Sequence, residues 1–137
     1  MASDCYKDTL IEALGIQVIE IDDKQVVATM PVNTATRQPF GRLHGGASVA
    51  LAETAASLGT YYFINKDAEY AVGIEINANH VRGKTDGIVT AVAKPVHRGR
   101  TIMVWNIRIH DEAGNLICIS RCTMGVFPKK SNSNRRL

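Results

Sequence analysis

The chain predicts an α+β domain in which an antiparallel sheet wraps around one long central helix. Three observations carry that expectation. The stretch from Gly45 to about Tyr62, GGASVALAETAASLGTYY, is rich in alanine and apolar on almost every side, as in a helix buried all round. The segments before and after it alternate apolar and polar residues over strand lengths. The late segments are joined by short turns, which leave no room for the crossover helices of a parallel sheet.

Taken in order, Asp4 to Ala13 carries Tyr6, Leu10 and Ile11, with Leu14 beyond, at near-helical spacing, and Gly15 stops it. Gly15 to Ile21 then alternates as a strand, Asp22-Asp23-Lys24 turns, and Gln25 to Met30 runs back. Pro31 to Leu43 has no period and holds Pro39 and Gly41, so it reads as a loop leading into the long helix, which Asn65 to Glu69 ends. Tyr70 to Val81, Gly87 to Val96 and Thr101 to His110 follow as long strands. In Thr101 to His110, Met103, Trp105, Ile107 and Ile109 face one side, and Asn106, Arg108 and His110 the other. Glu112 to Asn115 is a hairpin turn, and Leu116 to Val126 returns as the last strand. Residues 1–127 are read as one domain, and 128–137 as a basic, disordered tail.

Whole-chain properties narrow the function. With 137 residues, 45% hydrophobic and 21% charged, the chain matches one globular domain that needs no staples. No apolar run is long enough for a bilayer, and Met1 to Cys5 lacks the pattern of a secretory signal, so a cytoplasmic setting without a membrane partner is expected. The formal charge of +3 is drawn partly from Lys129, Lys130, Arg135 and Arg136, and no basic stripe with interleaved aromatics argues for nucleic acid. Cys118 and Cys122 would lie ~13 Å apart along one strand, too far for a disulfide, so Cys5, Cys118 and Cys122 read as small apolar residues. The four histidines, His44, His80, His97 and His110, have no metal-site spacing, and no metal or cofactor is expected.

Glu53 is the most informative side chain. Val49, Ala50, Ala52, Ala56 and Ser57 surround it, so nothing within helical reach neutralises its charge. A buried, unpaired carboxylate costs several kcal/mol and is a candidate for chemistry. The competing reading is a solvated stripe shared with Thr54 and Ser57. His44-Gly45-Gly46 lies where loop becomes helix; free N–H groups there favour a developing oxyanion, although a capped turn would look the same. Gln38, set extended by Pro39, would project its amide away from the loop. Gly45 and Glu53 are eight residues apart on one helix, or ~12 Å of rise. One carbonyl cannot touch both, so a shared site predicts two subunits with antiparallel helices. The clusters Asn79-His80-Val81-Arg82 and His97-Arg98-Gly99-Arg100 lie at strand ends, where arginine forks suit phosphate and solvated charge is the alternative.

Together Gln38-Pro39-Phe40-Gly41, Leu43-His44-Gly45-Gly46-Ala47-Ser48, Leu51-Ala52-Glu53 and Gly73 to Arg82 resemble the PaaI-like group of hotdog-fold acyl-CoA thioesterases. The bacterial branch acting in menaquinone and enterobactin synthesis is especially similar, and the likeness covers roughly residues 16–125. The resemblance implies a hotdog fold, a dimer with shared sites assembled into a tetramer, and hydrolysis of a thioester to acid and coenzyme A. It implies an aromatic or medium-chain acyl group, with 1,4-dihydroxy-2-naphthoyl-CoA as one candidate. By position, Glu53 would be nucleophile or general base, Gln38 and His44 would orient thioester and water, Gly45 would hold the carbonyl oxygen, and Ser57 would lie near the water. Gly73, His80, Val81, Arg82 and the loop His97, Arg98, Gly99, Arg100, Thr101 would line the coenzyme A groove. The same fold also serves acyl-thioester dehydratases or hydratases, and a non-catalytic acyl-CoA-binding module remains a third reading; the buried carboxylate argues against that module.

Overall fold

The computed structural model describes residues 2–130. Two short helices, α1 (Ala2–Cys5) and α2 (Leu10–Ala13), precede β1 (Gln17–Ile21) and β2 (Val26–Pro31). The long helix α3 (Gly45–Phe63) is followed by β3 (Glu69–His80), β4 (Ile88–Arg98), β5 (Ile102–His110) and β6 (Leu116–Pro128). The strands form one antiparallel sheet in the order β1-β2-β4-β5-β6-β3, and α3 touches all six. This is the hotdog arrangement, with the sheet curled around the helix.

Two residue patterns bring helix and sheet together. On β5, Met103, Trp105, Ile107 and Ile109 all point inward and are buried, as their alternation predicts. Facing them on α3 are Leu51, Ala52, Ala55, Ala56 and Gly59, small enough for a close approach. A Cβ on Gly59 would sit 2.4 Å from the Trp105 ring, so only glycine fits beneath the indole. The indole N–H donates to the Thr60 hydroxyl at 2.9 Å, and that hydroxyl donates to the Ala56 carbonyl at 2.9 Å, which leaves the buried polar pair satisfied.

The structure corrects three expectations. The helix read over Asp4 to Ala13 is two pieces: Asp8 takes a left-handed φ of 60°, and Thr9 caps the second piece. A short polar side chain tolerates that conformation, so the apolar spacing around it did not reveal the break. Second, α3 is buried on one face only within a chain; Val49, Ala50, Glu53, Thr54, Ser57 and Leu58 stay half-exposed. Third, Pro128 is still in β6, paired with Glu69, and the Lys129 N–H donates to the Ala68 carbonyl at 2.8 Å. Most of the tail expected to be disordered, residues 131–137, lies outside the described residues. Among the described residues no helix is long and apolar enough to cross a membrane.

Candidate active site

The N-terminus of α3 is built by the loop before it. His44 is the cap residue: its Nδ1 accepts from the Gly46 N–H at 2.8 Å, and its own N–H donates to the Thr36 carbonyl at 2.8 Å. An Nδ1 that accepts leaves the proton on Nε2, so this imidazole presents a donor outward. With Gly46 engaged by the cap and Ala47 bonded to the His44 carbonyl, the Gly45 N–H has no partner among the described residues. A Cβ on Gly45 would lie 2.8 Å from His80 Nε2, so the glycine is what lets β3 close over the helix start.

Gln38 belongs to the same cluster, in a conformation its sequence did not predict. Its side-chain Oε1 accepts from the Phe40 N–H, folding the amide back over its own loop instead of away from it. The loop is held by Gln38 N–H to Arg42 carbonyl (2.7 Å), Gly41 N–H to Gln38 carbonyl (3.0 Å) and a bridge between Arg37 and Leu43. Gly41 takes a φ of +89°, which few other residues would accept. Once Oε1 is occupied, the Gln38 NH2 group remains as a donor. Gln38, Gly45, His80, Val81 and Arg82 line one cavity of about 330 Å3.

Glu53 lies in a different cavity, a groove of about 450 Å3 along the open face of α3. Val49, Ala50, Thr54, Ser57 and Leu58 share its lining, with Leu10 and Ile11 of α2 as the outer wall. The carboxylate makes no hydrogen bond or ion pair among the described residues. It is half-buried, neither in a dry interior nor on a solvated stripe. Gly73 makes its place on β3, because a Cβ there would meet Glu53 Oε2 at 2.8 Å. One turn along α3, the Ser57 hydroxyl donates to Met124 Sδ at 3.8 Å. Beneath them the Cys122 thiol is pushed up to about 12 by burial, then by the Glu53 and Glu75 carboxylates. The thiol is fully buried in the core and does not line the groove.

The two strand-end clusters do not meet within one chain. His80 pairs with Cys118 at the start of β6, whereas the Thr101 carbonyl accepts from Val126 near its end. Eight residues of strand separate those points, or ~27 Å. The loop His97, Arg98, Gly99, Arg100, Thr101 therefore sits at the C-terminal pole of α3, where the Arg98 guanidinium stacks 3.5 Å over the Phe63 ring. Sequence reasoning did not single out Arg42, Ser48, Leu58 and Tyr61, which line these cavities, or connect Leu10 and Ile11 to the Glu53 groove. A helical wheel from Thr54, the neighbour of Glu53 on the open face, points to Leu58 and Tyr61 at i+4 and i+7; no sequence signal brings α2 to α3.

A sheet wrapped around one helix thus holds, in one protein, an unpaired carboxylate at mid-helix and a free amide at the helix start, a base or nucleophile and an oxyanion donor. The profile of the thioesterase superfamily matches residues 40–118, more than half the chain, and the protein belongs to that family. It is 56% identical to a putative esterase, ComA2, of Bacillus subtilis, over 90% of this chain and 98% of the relative. It is 46% identical to the 1,4-dihydroxy-2-naphthoyl-CoA hydrolase of Listeria monocytogenes, over 88% and 98%. The crystal structure of a glutamine-to-alanine variant of thioesterase PA1618 from Pseudomonas aeruginosa superposes with a TM-score of 0.90 at 46% identity, over 93% of this chain and 91% of the other.

Proposed function

We propose that the protein hydrolyses aromatic or medium-chain acyl-CoA, with 1,4-dihydroxy-2-naphthoyl-CoA a candidate, in sites shared by two copies with antiparallel α3 helices. The observation that carries this reading is the separation of its halves. Glu53 and the Gly45 N–H open into different cavities of one chain, ~12 Å apart along α3. A two-fold axis level with Val49 sets the partner's Gly45 beside this Glu53. The same rotation carries the partner's His97–Thr101 pole towards this chain's His80–Arg82 pole. Both basic clusters then flank one groove for the coenzyme's phosphates. Support also comes from β3, an edge strand of 12 residues exposing Tyr70, Val72 and Ile74, a ready template for a second copy.

In that site the thioester carbonyl points at the partner's Gly45 N–H, at the positive end of its helix, where the oxyanion gains ~3–4 kcal/mol per donor. Glu53 either takes a proton from water, which attacks the carbonyl carbon, or attacks that carbon itself, in which case water then cleaves the mixed anhydride and restores the carboxylate. The C–O bond forms, the C–S bond breaks, and coenzyme A leaves as thiolate and gains a proton. The outward Nε2–H of the partner's His44 and the NH2 of the partner's Gln38 orient the thioester and the water.

A thiol-release screen over aromatic, branched and straight-chain acyl-CoAs, read as kcat/KM, tests the reading. The highest values are expected for aromatic or medium-chain substrates, with free acid as product; a 3-hydroxyacyl-CoA should not yield an enoyl thioester. No thiol release from any member would overturn it.

A further inference from the structure

Phe40 is the most exposed large apolar residue among those described, at 85%, yet its loop is not slack. The bridge between Arg37 and Leu43, the bond from Gln38 to Arg42 and the left-handed Gly41 hold the loop as a tight, fixed turn. A rigidly presented phenyl ring in water is an unfavourable arrangement for a chain on its own. The same chain carries a concavity of matching character. The groove along α3 is walled by the apolar side chains of Leu10, Val49, Ala50 and Leu58.

We infer that Phe40 of one copy seats in the α3 groove of a second copy, beside the wall that α2 already gives it, and closes the acyl chamber next to that copy's Glu53. The inference rests on the shared-site reading and names a residue that the partner adds to it. Connectivity argues for this occupant. Phe40 is five residues before Gly45, in the loop that leads into the helix cap. If the Gly45 N–H comes to the partner's Glu53, the loop must come with it, and Glu53 stands in the middle of the apolar groove. Two-fold symmetry repeats the contact, so each copy gives one ring and receives one. The ring would cover Glu53 from bulk water and limit the width open to the acyl group, so Phe40 would act as a specificity-determining residue and not a catalytic one.

The test pairs two defects. Phe40→Ala and Phe40→Asp should each lower kcat/KM at least ~10-fold, and Phe40→Asp should weaken self-association at least ~30-fold by light scattering on dilution, as loss of an interface anchor does. Phe40→Asp and Glu53→Gln chains carrying different tags are then co-expressed and the mixed dimer purified. If Phe40 works across the interface, one of the two sites has an intact Glu53 and an intact Phe40. The mixed dimer should then show about half of wild-type turnover, although each parent is impaired. No recovery in the mixed dimer would place Phe40 beside its own Glu53 and overturn the inference. Unchanged kinetics and self-association in Phe40→Ala and Phe40→Asp would also overturn it. Should the wild type release no thiol from any acyl-CoA, the hydrolase reading fails by itself. The dilution experiment would still decide the contact: unaltered association of Phe40→Asp overturns it, and weakened association supports it.

Discussion

The two faces of α3 have nearly the same composition and opposite fates. Towards the sheet, Leu51, Ala52, Ala55 and Ala56 have no exposure at all, and Gly59 and Thr60 meet Trp105. Away from it, Val49, Ala50 and Leu58, as apolar as their counterparts, stay half-exposed around Glu53. The difference shows that apolar character on a helix marks surface that must be covered, without saying by what. The sheet covers one face of this helix. The other stays open, and only that face holds a charge.

The comparison is most easily broken at Trp105. Trp105→Ala empties the space over Gly59 and should destabilise the fold by ~3–5 kcal/mol, read by chemical denaturation. A loss under ~1 kcal/mol would mean that the sheet face is less tightly packed than its burial indicates.

On the open face the expected effect is on catalysis and not on stability. Glu53→Gln and Glu53→Ala should each lower kcat/KM at least ~100-fold. Their unfolding midpoints should stay level with wild type or rise, since a half-buried charge without a partner is removed. Near-wild-type hydrolysis in both variants would end the assignment of Glu53.

Thr60→Val sharpens the contrast within the buried face, because it keeps the shape and removes the acceptor of the Trp105 N–H. The orphaned indole should cost ~1–3 kcal/mol with turnover unchanged. Equal stability would show that the indole finds another partner.

The smallest effect lies away from both faces, at the Lys84–Glu112 pair. The Lys84 ammonium at 2.7 Å, helped by the Ile88 N–H, holds the Glu112 carboxyl at about 2, against an ordinary 4.5. A depressed carboxyl makes the unfolded chain bind more protons between those values. Its contribution is therefore complete above 4.5 and lost as pH falls towards 2. The pair is solvent-screened, so Glu112→Gln should only slightly flatten the fall of Tm with acid. A large drop in Tm at neutral pH would contradict that.

Much of the fold could be read from the residues because the signals are local. Alternation marked the inward face of β5, alanine content marked α3, and Gly45-Gly46 marked the start of that helix. The left-handed Asp8 was illegible, since one backbone angle at an exposed residue leaves no mark on the apolar periodicity. The Gln38 amide was misjudged for a similar reason. Pro39 biases a backbone, but the Phe40 N–H decides where the side-chain oxygen goes.

For the site, the amino-acid order by itself determined which chemical groups exist and how far apart one helix must hold them. Glu53 without an internal partner and Gly45 at the helix start follow from identity and from a rise of ~1.5 Å per residue. Only the tertiary structure decided that these groups open into separate cavities, that His97–Thr101 sits at the other pole from His80–Arg82, and that α2 walls the Glu53 groove. Periodicity specifies which side of an element is apolar, whereas the neighbour it meets depends on strand order and register, set by contacts between residues far apart in the chain.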